Sequence, residues 1–217
     1  MQGEAMSILL LGGSPSLPSS SSRLLQHIGD RLALLGHRHG RLHVRDLPAQ
    51  PLLHADCGNA VLQRALALVA DADAVVVATP VYKASFSGLL KTFLDLLPQD
   101  GLAGKLVLPV ATGGSQSHML ALDYALRPVL AALSARHVLA SIYATSDQLG
   151  WDAEGGLTLA PAIAARVAAG VEELSAALGA RADRDTAPVP ACLSGRSLKD
   201  FPYAQAQVHG QAQNSLA

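Results

Sequence analysis

Cysteine, net charge and long apolar runs are all scarce in this chain of 217 residues, and each shortage closes off a class of protein. Two cysteines, Cys57 and Cys192, exclude a disulfide framework and a zinc site made of thiolates from one chain; no metal site is expected. Sixteen Lys and Arg against 17 Asp and Glu leave a net charge of −1, too little to draw nucleic acid or an anionic membrane by long-range field. The strongest apolar run, residues 74–78, ends at Thr79 and Pro80, well short of the roughly 20 residues a spanning helix needs. The opening MQGEAMSILLLGG has neither the basic n-region nor the long apolar stretch of a secretory signal, so a cytoplasmic location is expected. Half of the residues are hydrophobic and 15% are charged, which excludes intrinsic disorder of the whole chain and provides for one domain of ordinary size.

Short apolar runs alternate with longer segments of helical spacing. Strands are predicted over residues 7–11, 40–44, 74–78, 105–111 and 138–143, and helices over 22–35, 60–70, 87–97, 118–133 and 162–180. Alternation of this kind implies βαβ units around a parallel sheet. Val75, Val76 and Val77 are contiguous, so their strand should be covered on both faces. The expected architecture is α/β: a doubly wound, five-stranded parallel sheet in a three-layer α/β/α sandwich over residues 1–180. Residues 181–217 follow neither period and are expected to form a carboxyl-terminal arm, mobile from Gln205 onward.

In such folds ligands bind beyond the carboxyl ends of the strands, where the strand order reverses, which directs attention to the loops after the first, third and fourth strands. The first, GGSPSLPSSSS, runs into a helix. Hydroxyls of Ser14, Ser19, Ser21 and Ser22, backbone N–H groups and the helix dipole suit a phosphate, although an N-cap on a serine-rich loop is the plainer reading. No P-loop and no G-x-G-x-x-G fingerprint is present. In Gly113–Gly114–Ser115–Gln116–Ser117 a serine occupies the last position of the G-x-S-x-G elbow, which argues against a serine hydrolase. The second loop, TPVYKASFSG, offers Pro80, Val81, Tyr82 and Lys83 beside a flat ligand, with Tyr82 as an aromatic wall. Lys91 and Asp95, four apart on the next helix, read as an ion pair. The third loop, TGGSQSH, brings Gly113, Gly114 and Ser115 to a predicted helix start that favours negative charge, with His118 either flanking a ring or facing water.

Taken together, GGSPSLPSSSSRLL, ATPVYKASFSGLLKTFLDLLP and GLAGKLVLPVATGGSQSHMLALDYALRPVLAAL resemble the NAD(P)H-dependent FMN reductases of two-component alkanesulfonate monooxygenases, over residues 7–177. The resemblance implies a flavodoxin-like fold, noncovalent FMN, NADPH or NADH as reductant, and delivery of reduced FMN to a separate FMNH2-dependent monooxygenase. It assigns Ser14, Ser19, Ser21 and Ser22 to the FMN phosphate, Pro80, Val81 and Tyr82 to the flavin ring, and Gly113, Gly114 and Ser115 to its pyrimidine edge. Related reductases commonly carry arginine where this chain has Ser16, so FMN is expected to be held loosely, or Arg23 to compensate in part. Pro128 lacks an N–H and strands the carbonyl of Tyr124. The resemblance places a π-helical tyrosine at this point, at a subunit interface of a homodimer or homotetramer, and Tyr124 matches it. No catalytic side chain is required, because the hard chemistry belongs to the cofactors. Three other readings stay open: an NAD(P)H quinone or azo reductase with tightly held FMN, a flavodoxin-like electron carrier, and a nonenzymatic regulatory domain. Nothing in the sequence locates a contact to the 2′-phosphate of NADPH.

Overall fold

The run SILLLG forms strand β1 (Ser7–Gly12) and AVVVATPVY forms β3 (Ala74–Tyr82), on either side in sequence of β2 (Arg38–His43). β1 after Ser7 and the first seven residues of β3 are continuously buried rather than alternating, as strands covered on both faces must be. Successive side chains still point to opposite faces. Leu9, Leu11, Val75 and Val77 therefore enter one core, and Ile8, Leu10, Ala74, Val76 and Ala78 the other. The computed structural model describes residues 7–152 and 156–186.

A two-residue strand β4 (Ser85–Phe86) turns back on β3, and β5 (Leu106–Gly113), β6 (His137–Val138) and β7 (Ile142–Thr145) complete the sheet. Its order is β2–β1–β3–β5, with β6 and β7 both paired to β5. Apart from β4 every pairing in the sheet is parallel. The direction of winding reverses between β1 and β3, which opens a crevice beyond their carboxyl ends. The predicted fifth strand is thus two short ones interrupted at residues 139–141. A separate antiparallel pair, β8 (Leu149–Trp151) and β9 (Leu157–Leu159), was not expected from the sequence.

Helices α1 (Ser20–Leu34) and α6 (Pro161–Thr186) cover one face through Leu24, Leu25, Ile28, Leu32, Ile163, Val167 and Val171. The opposite face is covered by α2 (Ala49–Leu53), α3 (Ala60–Ala70), α4 (Gly88–Leu94) and α5 (Arg127–Ala132), using Leu52, Leu62, Val69, Leu90, Phe93 and Leu130. This is the expected three-layer sandwich. α1 shows how local chemistry sets the ends. Ser19 caps its start by accepting the N–H of Ser22, and Gly36, at φ 86°, closes its end. There the N–H groups of Gly36 and His37 return to the carbonyls of Ala33 and Leu32. Lys105 donates to the carbonyls of Ala70 and Ala72 and so finishes α3.

The predicted helix over 118–133 is corrected in one respect. It consists of a 3-10 turn at Gln116–His118, a π-helical turn at Leu122–Leu126, and α5. Pro128 has no N–H for the carbonyl four residues back, and in a π turn the partner lies five residues on, past the proline. One compact unit ends at Ala182 and a second begins at Asp183. The arm expected over 181–217, with Cys192 and the end after Gln205, lies outside the described residues beyond Thr186. No helix among the described residues is long and apolar enough to cross a membrane.

His27 and His43 are held below the ordinary imidazole value, chiefly by burial, with Arg31 adding to this at His27 and Arg45 at His43. The unfolded chain then takes up protons before the folded one as the pH falls below about 6.5. Stability that is present above this pH should drain away beneath it. Thermal midpoints measured from about pH 8 down to about pH 5.5 are expected to stay level and then decline, and the double variant His27→Gln, His43→Gln to decline less steeply.

Candidate active site

The chain leaves β1 through Gly13, whose N–H extends the ladder to the carbonyl of Ala78 at 2.7 Å. A Cβ on Gly13 would stand 2.6 Å from the Cβ of Leu90, so no other residue fits this crossing without moving α4. The loop then wraps the amino end of α1. Ser14 is buried, and its hydroxyl accepts the N–H of Ser16 at 3.3 Å. The hydroxyl of Ser19 shares a hydrogen bond with that of Ser21 at 3.0 Å. Helix geometry directs the first-turn amides of Ser20 and Ser21 out of the helix end, where the dipole is positive.

Arg45, just past the carboxyl end of β2, underpins this loop. Its guanidinium donates to the carbonyls of Ser14 (3.3 Å) and Ser16 (3.2 Å) and to the hydroxyl of Ser22 (3.0 Å). Its side chain is 12% exposed, with Nε 3.8 Å from the carboxylate of Asp46. A cation thus backs the loop from behind. Arg23, the expected compensator, faces a different way: its guanidinium carbon lies 4.2 Å above the centre of the Trp151 ring.

The second wall is a hairpin. Val81 and Tyr82 of β3 pair with Phe86 and Ser85 of β4, so Lys83 and Ala84 form a two-residue turn, both with positive φ (50° and 64°). Such a turn normally takes Asn and Gly, and the left-handed conformation costs other residues about 1 kcal/mol each. Strain of this sort is tolerated where surrounding structure fixes the chain. Thr79 and Ser87 do that fixing. Thr79 Oγ1 accepts the N–H of Ser87 at 3.0 Å and donates to the carbonyl of Pro80. Ser87 Oγ donates to the carbonyl of Gly13 and accepts the N–H of Leu90, capping α4. Lys91 and Asp95 form the exposed ion pair their spacing predicts.

The third wall, after β5, depends on a buried tyrosine. Tyr143 Oη donates to the carbonyl of Ser115 at 2.6 Å, and burial pushes its hydroxyl above the usual phenol value. A Cβ on Gly113 would lie 2.3 Å from that same oxygen. Because a 3-10 turn rather than an α-helix follows, the dipole expected at His118 is not assembled, and charge stabilisation at this wall is left to the main-chain amides alone.

These walls enclose a cleft of about 280 Å³ lined by Ser14, Ser16, Pro18, Ser19, Ser20, Pro80, Val81, Tyr82, Thr112, Gly113, Gly114 and Ser146. Of the residues singled out in the sequence, eight line it: Ser14, Ser16, Ser19, Pro80, Val81, Tyr82, Gly113 and Gly114. Ser21 is buried behind the helix start, Ser22 is engaged by Arg45, and Lys83 stands at the hairpin tip. Ser115 turns its carbonyl to Tyr143, and His118 sits in the 3-10 turn outside the lining. Sequence reasoning missed Arg45, Thr112, Tyr143 and Ser146. Arg45 had a usable signal, since it follows the strand adjacent to β1, at the same edge of the sheet.

A doubly wound sheet with a serine and amide cradle at the first helix, beside a narrow slot at the switch point, defines a flavodoxin-like flavin-binding protein. The solved Streptococcus pneumonia TIGR4 flavodoxin shares this fold at 17% identity and a TM-score of 0.52, over 79% of this chain and 99% of that one. Residues 6–149 match the family model for NADPH-dependent FMN reductase, and the chain belongs to that family. It is 49% identical over 185 residues to an "FMN reductase (NADPH)" of Pseudomonas putida KT2440, covering 84% of this chain and 93% of that protein. An "NADH-dependent FMN reductase SfnE" of Pseudomonas putida is 38% identical over 66% of this chain and 79% of its own. The apo crystal structure of an NADH:FMN oxidoreductase (EMOB) has a TM-score of 0.72 at 38% identity, covering 79% and 89%.

Gly113 and Tyr143 should behave as a coupled pair. Gly113→Ala is expected to destabilise the fold by about 2 kcal/mol through overpacking, and Tyr143→Phe by about 1 kcal/mol through the lost hydrogen bond. Removing the hydroxyl removes the atom that the new methyl strikes. Urea denaturation of the double variant should therefore show less than the sum of the two losses.

Proposed function

We propose that this NAD(P)H-dependent FMN reductase takes FMN as a substrate from solution, reduces it, and passes it to a separate monooxygenase. The observation that carries the reading is the pairing of an anion cradle on α1 with a slot between two main-chain walls, in one cleft and at the switch point of the sheet.

The donor set fits FMN. The out-turned amides of α1 and the hydroxyls of Ser14, Ser16 and Ser19 suit a phosphate dianion, and Arg45 supplies positive charge from behind without entering the cleft. Pro80, Val81 and Tyr82 on one side and Gly113 and Gly114 on the other suit a flat ring system. When bound, the flavin supplies the hydride acceptor, N5, for a reduced nicotinamide. The chain's own contribution is to fix the phosphate, to keep the ring between the hairpin and the 113–115 loop, and to leave room for a second ring above it. Main-chain amides at Gly113 and Gly114 favour negative charge at the pyrimidine edge. No proton donor or nucleophile from the protein enters this scheme.

Loose holding follows from the arrangement of charge: the cation is one layer behind the phosphate site, where it organises carbonyls instead of gripping the ligand. The protein should accordingly leave gel filtration colourless, and NADPH oxidation under air should depend on added FMN; a yellow protein that turns over without added flavin points instead to a quinone or azo reductase. Arg45→Gln is expected to weaken FMN binding about tenfold, by loss of charge-assisted bonds in the loop, and to leave riboflavin, which has no phosphate, almost unaffected. Flavin fluorescence titration of both ligands reads this directly.

The exposed face of the π turn supports a subunit contact. Tyr124 is 79% exposed, with Leu120 and Met119 also open beside it, and large apolar groups clustered on a surface mark an interaction site. The assembly proposed is a homodimer or homotetramer with Tyr124 at the contact. Light scattering after gel filtration should show a smaller species for Tyr124→Ala at the same protein concentration.

A further inference from the structure

Thr112, next to last in β5, is 6% exposed and lines the flavin cleft, yet its hydroxyl makes no hydrogen bond with any described residue. Its neighbours in the sheet explain why. Pro80 lies opposite it on β3 and Ala144 on β7. Proline has no N–H, the carbonyl of Pro80 already accepts the hydroxyl of Thr79, and alanine offers only a methyl group. The hydroxyls of Ser14 and Ser19 in the same cleft, by contrast, accept the N–H groups of Ser16 and Ser22. Side chains of β5 alternate between the two faces of the sheet. Leu106, Leu108 and Val110 enter the core beneath α1, and Val107 and Ala111 enter the other, so Thr112 continues the row on the α1 side. A ligand that reaches from the amino end of α1 to the wall at Gly113 and Gly114 must pass it. A buried hydroxyl without a partner is costly, and one that lines a binding cleft is met by what the cleft binds.

We propose that Thr112 binds the ribityl chain of FMN, its hydroxyl sharing a hydrogen bond with one of the chain's hydroxyls, so that the site selects flavins by their sugar alcohol as well as by phosphate and ring. The inference rests on the reading that FMN occupies this cleft. The two ends of the cleft match the two ends of the ligand: the serine hydroxyls suit the phosphate, and Pro80, Val81, Tyr82, Gly113 and Gly114 suit the ring. Thr112 stands between them, immediately before Gly113 and level with Pro80. What joins phosphate to ring in FMN is a polyol. A threonine hydroxyl both donates and accepts, so it can meet either the proton or a lone pair of such a chain. A bond at this point limits rotation of the ring about its tether. It is also neutral at both ends, and so weaker than a charge-assisted contact, in keeping with a flavin that is held and then released.

Lumiflavin, riboflavin and FMN share the ring and add first the polyol and then the phosphate, so flavin fluorescence titrations of Thr112→Val with all three isolate the contact. Riboflavin and FMN should each bind about fivefold more weakly than they bind the wild type, by loss of one neutral hydrogen bond, and lumiflavin should be unchanged. Thr112→Ala should repeat this pattern, and Thr112→Ser, which keeps the hydroxyl, should restore both affinities. In steady state, KM for FMN should rise by the same factor while kcat and KM for NADPH are retained. The flavin-free Thr112→Val protein should melt at or above the wild-type temperature, because a methyl replaces a buried hydroxyl that has no protein partner. The proposal is overturned if lumiflavin is weakened as much as riboflavin, which puts the hydroxyl at the ring, or if FMN alone is weakened, which puts it at the phosphate. A lowered melting temperature with all three flavins affected alike, or affinities that do not change at all, overturns it too. Failure of the wild-type protein to bind any flavin would remove the underlying reading, and this assignment with it.

Discussion

The hydroxyl of Ser87 ties together the two halves of the site, because it donates to the carbonyl of Gly13 while accepting the N–H of Leu90. The loop before α1 and the hairpin after β3 are in this way held to the start of α4, in a buried position where an unmet hydrogen bond costs about 1 to 3 kcal/mol. Gly13 has no room for a side chain against Leu90, so the loop can descend far enough to meet Ser87. Neither wall of the cleft can shift without breaking a bond to the other. The strained turn at Lys83 and Ala84 is tolerated for the same reason, since both strands leading into it are already fixed.

Positive charge reaches the serine loop from outside it. Arg45, just past the carboxyl end of β2, stands behind the loop and is bound to its carbonyls. A guanidinium in that position stiffens the cradle and contributes a favourable field, yet makes no direct bond that the ligand must break on leaving. Under the proposed function, in which the reduced flavin leaves the protein, preorganisation combined with modest grip is a coherent arrangement. The π turn has an analogous logic. Pro128 prevents ordinary helix pairing, the wider turn absorbs the mismatch, and Tyr124 is put outward instead of into the core.

Much of the fold was legible from residue pattern alone. Contiguous valines at 75–77 announced a strand buried on both faces, and the N-cap read in the serine-rich loop is made by Ser19 at the start of α1. Ser14, Pro80 and Gly113 could be assigned to one site because strand ends in a doubly wound sheet converge. The hairpin at Lys83–Ala84 was illegible, because its turn residues are not those that a left-handed pair normally requires. The interruption of β6 and β7 and the pairing of β8 with β9 were likewise invisible, being short and set by contacts with distant parts of the chain.

The sequence by itself determined the three-layer class, the cap at the start of α1 and the need for adjustment near Pro128, because periodicity, capping and the missing proline N–H act over a few residues. Only the tertiary structure decided that Arg45 and not Arg23 backs the serine loop, that Tyr143 holds the 113–115 wall, and that Arg23 meets Trp151. Those pairings join residues 23 to 128 positions apart in sequence. Their geometry follows from the order of the strands and from the space left by Gly12, Gly13 and Gly113, which no local pattern encodes.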